Sequence, residues 1–275
     1  MLLKRVFVVL LCGLIAGGGV FYALTFRFFD RPLTGSKQEK FQKQIALPDN
    51  FTLAASVNSI DTVKNTLESA RKNVRDGAYA LELNVTYAED GTLFLADGPD
   101  YLTPASVKLE AVFKEFSDSP YLRYILRLMN DFEGTSLVDL AVKYSLLGRI
   151  MLIGVKVEEL PAYSERYSNF MLCAEIDVRN VKMSDHDACS ELLQLCRDSG
   201  ALAVSCHQKD VTDEFREAIT ELGQLRFVLE DVNSNYEMYH ALSLNPNIVI
   251  TEHPEILSSM MISQDYLNLN KANTF

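Results

Sequence analysis

Carboxylates, two cations and one histidine recur along this chain at the ends of short apolar runs, which is where a fold presents reactive groups to solvent. Glu82, Asn84, Asp97, Arg127, Lys156, Glu175, Asp177, His207 and Glu230 all stand at such positions. Acids that converge with a histidine can hold a divalent metal or pass protons to and from a substrate. Glu175 and Asp177 are two apart and share one face of an extended strand. Each also has a plainer reading, the acids as solvated loop residues and His207 as a hydrogen-bonded rim residue. The other histidines, His186, His240 and His253, fall in helical patterns or beside Pro254 and suggest no chemistry. None of the four histidines precedes residue 186.

The elements that must position these groups alternate eight times. Apolar runs cover residues 51–56, 79–85, 124–129, 149–155, 169–176, 201–206, 225–230 and 247–250. Helical patterns such as DTVKNTLESARKNV, TSLVDLAVKYSLL, SDHDACSELLQLCRD and VTDEFREAITEL lie between them, with Asp61, Ser184 and Thr212 as candidate caps. Strands apolar on both faces and joined by crossover helices predict a parallel sheet. Eight such units in about 210 residues predict a closed (β/α)8 TIM barrel. An open doubly wound sheet is the alternative, although it more often uses five or six strands, and no glycine-rich phosphate loop follows the first run. In a barrel, chemistry belongs at the C-terminal strand ends. These ends comprise Ala55 and Ser56, Glu82 and Asn84, Arg127 and Met129, Lys156, Glu175 and Asp177, Cys206 and His207, Glu230 and Asp231, and Thr251 to His253. After the second run, AEDGTLFLAD predicts a hairpin turning at Asp90-Gly91 and returning Ala96 and Asp97 to the rim.

Three stretches carry a resemblance to a known family. KNTLESARKNVRDGAYALELNV (64–85), EDGTLFLAD (89–97) and the C-terminal VTDEFREAITELGQLRFVLEDVNSNYEMYHALSLNPNIVITEHPEIL resemble, in order, segments of the glycerophosphodiester phosphodiesterases. That family is a TIM-barrel group within the phosphatidylinositol-phospholipase-C-like superfamily. The resemblance spans most of residues 51–258. It implies cleavage of a phosphodiester by two histidines with a divalent cation held on carboxylates. Here the positions that the family gives to histidine are the Ala55-Ser56 region and Ala96. Of the metal-binding acids Glu82 alone matches, because Asn84 replaces its partner Asp and Arg127 replaces the next Glu. An arginine there is expected to pair with Glu82 and take the cation's charge role. The resemblance therefore implies an inactive barrel with no cofactor, binding a phosphodiester, another polar small molecule or a protein at its mouth. The alternative is a phosphoric diester hydrolase of changed chemistry, in which Glu82, Glu175, Asp177, His207 and Glu230 work with a divalent cation such as Mg or Ca.

Residues 1–5 form a short tail with Lys4 and Arg5, and Val6 to Phe26 carry no charge over twenty-one residues, enough to span a bilayer as one helix. A cleaved signal peptide competes with that reading. Residues 27–50 are basic and polar, a tether expected to be solvated near headgroups; 51–258 form the barrel and 259–275 a C-terminal tail. Basic residues on both sides of the apolar run leave the side of the membrane open, with a lean to an extracytoplasmic barrel. From residue 51 onward nineteen basic face thirty-four acidic side chains, a formal charge of −15 that excludes nucleic-acid binding by bulk electrostatics. Cys173, Cys189, Cys196 and Cys206 have no metal or redox spacing and are expected as buried thiols. The membrane assignment is checked by fractionation. The full chain should sediment with membranes and resist carbonate extraction, while a fragment beginning near Asp49 stays in the supernatant. A mature chain lacking residues 1–26 would establish a cleaved signal instead.

Overall fold

A computed structural model of the chain describes residues 35–57, 64–131, 134–177 and 183–263. The strands, labelled in chain order, are β1 (Thr52–Ser56), β2 (Ala80–Tyr87), β3 (Leu93–Leu95), β4 (Arg123–Leu128), β5 (Ile150–Lys156), β6 (Met171–Glu175), β7 (Ala203–His207), β8 (Arg226–Glu230) and β9 (Ile248–Thr251). The described helices are α1 (Gly35–Gln42), α2 (Leu67–Arg75), α3 (Leu109–Glu115), α4 (Ser136–Lys143), α5 (Leu160–Arg166), α6 (His186–Asp198), α7 (Asp213–Leu222), α8 (Asn235–Ser243) and α9 (Pro254–Ser263). Eight strands pair in parallel in the order β1-β9-β8-β7-β6-β5-β4-β2, and β2 pairs back onto β1 to close the barrel. The short β3 runs antiparallel on the overhanging end of β2, Val85 opposite Leu95 and Tyr87 opposite Leu93, above the point where β1 ends. All eight apolar runs are therefore barrel strands, and AEDGTLFLAD is the hairpin.

Alternation along each strand separates two apolar clusters. Ala54, Ala80, Ile125, Met151, Cys173, Ala203, Val228 and Ile248 are among the residues filling the barrel interior. Their strand neighbours Leu53, Leu81, Tyr124, Leu126, Leu152, Leu172, Val204 and Phe227 pack outward under the helices. Because the side-chain period is two, the inward row of β2 continues through Glu82 to Asn84. By the same rule Arg127 follows Ile125, Glu175 follows Cys173, His207 stands four beyond Ala203, and Glu230 follows Val228. Geometry thus aims the candidate residues up the barrel axis. Thr212 caps α7 as expected, and α6 is capped by Asp185 in place of Ser184, one residue later. Thr66 and Ser69 form a reciprocal capping box on α2, and Asp61 lies outside the described residues. Cys173, Cys189, Cys196 and Cys206 are buried free thiols.

The apolar run 6–26 also lies outside the described residues, and among the described residues no helix is long and apolar enough to cross a membrane. The stretch expected to be a solvated tether is partly structured. Its residues 35–42 form α1, with the Phe41 ring 5.8 Å from that of Tyr236 and 5.6 Å from that of His240, both on α8. Ile45 and Leu47 pack against the outer core, and the Ala46 N–H donates to Asn245 Oδ1 at 2.6 Å. The reason is local: Phe41, Ile45 and Leu47 place apolar side chains among the lysines, and burying them outweighs solvation. At the other end α9 carries the ordered chain past residue 258 to Ser263. Phe41→Ala should release α1 from a barrel that still melts within a few degrees of the parent. Faster tryptic cleavage at Lys40 and Lys43 would show it, since cleavage needs local opening; an unchanged rate would mean that the contact does not hold the segment.

Candidate functional site

At the mouth the Arg127 guanidinium sits among three carboxylates drawn from three other strands. Its Nη2 donates to Glu230 Oε2 from β8 and lies 3.8 Å from Glu82 Oε1 on β2, while Nη1 donates to Glu175 Oε2 on β6 at 3.3 Å. Glu82 is buried, 8% exposed, and its carboxylate also accepts a hydrogen bond from Ser56 at the end of β1. Burial pulls the Arg127 pKa down, but Glu230, Glu82 and Glu175 outweigh it and leave the arginine raised and charged. For Glu82 burial is the larger influence, aided by the negative charge of Glu230, and Arg127 only partly offsets it. The Glu82 carboxyl is pushed up from the ordinary 4.5 to about 7. Two of the three acids thus face the arginine from strands not adjacent to its own.

Room for the guanidinium comes from the next strand. Gly154 in β5 has φ +79°, and a Cβ there would collide with Arg127 Nη1. The β5–β6 register shifts between Leu152 and Val155, so Gly154 marks a bulge that opens the barrel wall beside the arginine. A lone glycine inside a strand run is the sequence signal for such a close approach, and the reading from sequence passed over it.

The remaining candidates go elsewhere. Asn84 Nδ2 donates to Asp97 Oδ1 at 2.8 Å, and Asn65 Nδ2 reaches the same oxygen at 3.2 Å, so the hairpin's return arm is pinned to β2 and to the loop after β1. Ala96 is buried, its N–H on the Asn84 carbonyl and its carbonyl accepting from Thr86 Oγ1. Lys156 turns outward toward Glu159 at 3.8 Å. Asp177 lies two residues past Glu175 and outside the set bonded to Arg127. His207 Nδ1 is 3.2 Å from Asp231 Oδ2 at the rim, with Asp231 held at φ +56°. A pocket of about 670 Å³ opens to the side of the mouth, between the hairpin and the loop after β4, lined by Tyr87, Phe94, Leu102 and Asp131 among others; it does not include Arg127.

A divalent cation of the kind the resemblance implies needs several charged oxygens facing an open position. Three carboxylates here already surround a guanidinium, whose charge repels an incoming cation. Among the described residues no group of three or more His, Cys, Asp or Glu side chains is arranged to hold a metal. The site does not fit the ion.

No family model matches the sequence, and no curated protein is similar to it. Solved structures are similar in fold. A provisionally named glycerophosphodiester phosphodiesterase of Galdieria sulphuraria superposes with a TM-score of 0.65 at 13% identity, covering 79% of this chain and 99% of that one. A glycerophosphodiester phosphodiesterase of Parabacteroides distasonis gives 0.61 at 14%, over 79% and 99%. An Oleispira antarctica phosphodiesterase solved with its product sn-glycerol-3-phosphate gives 0.61 at 13%, over 78% and 97%. At these identities the likeness establishes a shared barrel.

Linkage follows from the raised Glu82. Between about pH 4.5 and 7 the folded chain keeps a proton that the unfolded chain has released, so this residue makes stability fall as pH rises through that window. The full effect is on the order of 3 kcal/mol. Glu82→Gln should flatten the pH slope of the urea midpoint between pH 5 and 7.5 relative to the parent; a slope equal to the parent's would contradict the assignment. Arg127→Leu leaves the acids facing one another and should cost on the order of 3 kcal/mol at pH 8. Its cost should be smaller at pH 5, where Glu82 is neutral.

Proposed function

We propose that this chain is a membrane-anchored barrel of the glycerophosphodiester phosphodiesterase type that binds a ligand or a protein at its mouth and does not hydrolyse phosphodiesters. The observation that carries the reading is the Arg127 guanidinium bonded to Glu230 and Glu175 and within 3.8 Å of Glu82. It supplies a fixed positive charge to acids that would otherwise attract a cation. Hydrolysis also needs one group to take a proton and another to protonate the departing alkoxide. The Ala96 methyl, and Ser56 bonded to Glu82, offer neither at the two places where the resemblance implies histidines. In this reading no cofactor is bound, residues 6–26 span the bilayer once, and the barrel lies on the extracytoplasmic side.

A second reading keeps an enzyme, a phosphoric diester hydrolase with altered acid-base residues. It is favoured by the His207–Asp231 pair, a histidine held by a carboxylate at the rim. No hydroxyl or thiol nucleophile is bonded to that histidine among the described residues, which leaves it second.

The purified full chain incubated with glycerophosphocholine and either Mg or Ca should release no glycerol phosphate above a no-protein blank. Metal-dependent release that disappears with Glu82→Ala would overturn the first reading. Release of glycerol phosphate with Mg or Ca that is lost with His207→Ala would establish the second.

A further inference from the structure

The path of the segment before the barrel fixes which end of the barrel its N-terminal side approaches. Each of the eight parallel strands runs from floor to mouth and the helix after it returns, so Tyr236 in the first turn of α8 lies near the mouth and Asn245, just past its end, lies near the floor. Followed backward from β1, the chain leaves the floor at Asn50, whose side chain accepts from Asn247 Nδ2 at 2.9 Å. It passes Asn245 at Ala46 and reaches the level of Tyr236 and His240 at Phe41. From Phe41, α1 continues for six more residues to Gly35, a rise of about 9 Å. The segment therefore climbs the outside of α8 from floor to mouth.

Only the eight residues 27–34 separate Gly35 from the uncharged run ending at Phe26, and such a stretch reaches at most about 30 Å. Resting on the reading of residues 6–26 as a membrane span, we infer that α1 turns the barrel so that its mouth faces the bilayer, with zwitterionic headgroups as the surface it meets. Two exposed aromatic residues on the mouth side, Tyr101 and Tyr236, have the amphipathic rings suited to a headgroup layer. Lys40 and Lys43 are exposed on and just after α1, near enough to the membrane to neutralise lipid phosphates. The rim itself carries acids, Asp97, Asp100, Glu175 and Asp231 among them. They resist close approach to an anionic surface, within a screening distance of roughly 10 Å, and tolerate one that presents ammonium groups. A ligand entering the mouth then comes from the lipid side.

Fluorescence transfer to a headgroup-labelled acceptor in phosphatidylcholine vesicles tests this on the full chain. A donor is attached at Tyr101→Cys on the mouth side or at Tyr121→Cys on the floor side, each in a Cys12→Ser background, since the other cysteines are buried. Rim and floor are about 20 Å apart, so transfer from Tyr101→Cys should exceed that from Tyr121→Cys by about twofold or more. Adding Phe41→Asp, which detaches α1, should abolish the difference. Equal transfer, stronger transfer from the floor, or a difference that survives Phe41→Asp would overturn the orientation. A chain that does not float with the vesicles would overturn the membrane span itself, a distinct failure.

Discussion

A guanidinium inside a barrel mouth loses most of its water, and the loss is tolerable only where anions replace it. Arg127 is 24% exposed at its side chain and is met by acids from β2, β6 and β8. Three constraints follow. The acids must stay close, which fixes Glu230 and Glu175 as partners and leaves Glu82, the most buried, pushed up to about 7. The wall beside the arginine must give way, which the β5 bulge at Gly154 provides. Finally, the centre of the mouth already holds a fixed positive charge among its acids, and that charge repels a second cation. One charged side chain thus sets the packing and the titration of the site.

Around that centre the hairpin after β2 builds up one side of the mouth. The hairpin returns Asp97 to the rim, and two amides, from Asn84 and Asn65, hold it there. In an acid at position 84 a negative charge would face Asp97 at the same distance, so the asparagine makes the hairpin's attachment possible without an intervening cation. Asp97 at the hairpin's end is thus fastened to the barrel by side-chain amides.

Much of this was legible in the sequence because it depends on period and length. Eight apolar runs separated by helical patterns specify a closed parallel sheet, and the C-terminal ends of those runs bring Glu82, Arg127, Glu175 and Glu230 to one rim. The pairing of Arg127 with Glu82 was also accessible, since chain order makes β2 and β4 neighbours. What spacing could not convey was the ranking of partners. Glu230 and Glu175 lie far away in sequence and on strands not adjacent to β4, and only the barrel's diameter decides that the guanidinium reaches them better than its neighbour. The docking of α1 was missed for a related reason: a single apolar residue of that helix, Phe41, carries no period to announce it, and its contacts are with Tyr236 and His240, far away in sequence.

The central claim is that Arg127 takes the place of a cation, and exchanging it for an acid addresses that claim directly. Melting temperature is measured with and without millimolar Mg or Ca for the parent chain and for Arg127→Glu combined with Asn84→Asp. Ligand binding to the folded state alone raises it. The account predicts no metal-dependent shift for the parent and a clear rise for the double variant, which gathers an uncompensated set of carboxylates. A parent that is already stabilised by the metal, with no further gain in the double variant, would contradict it.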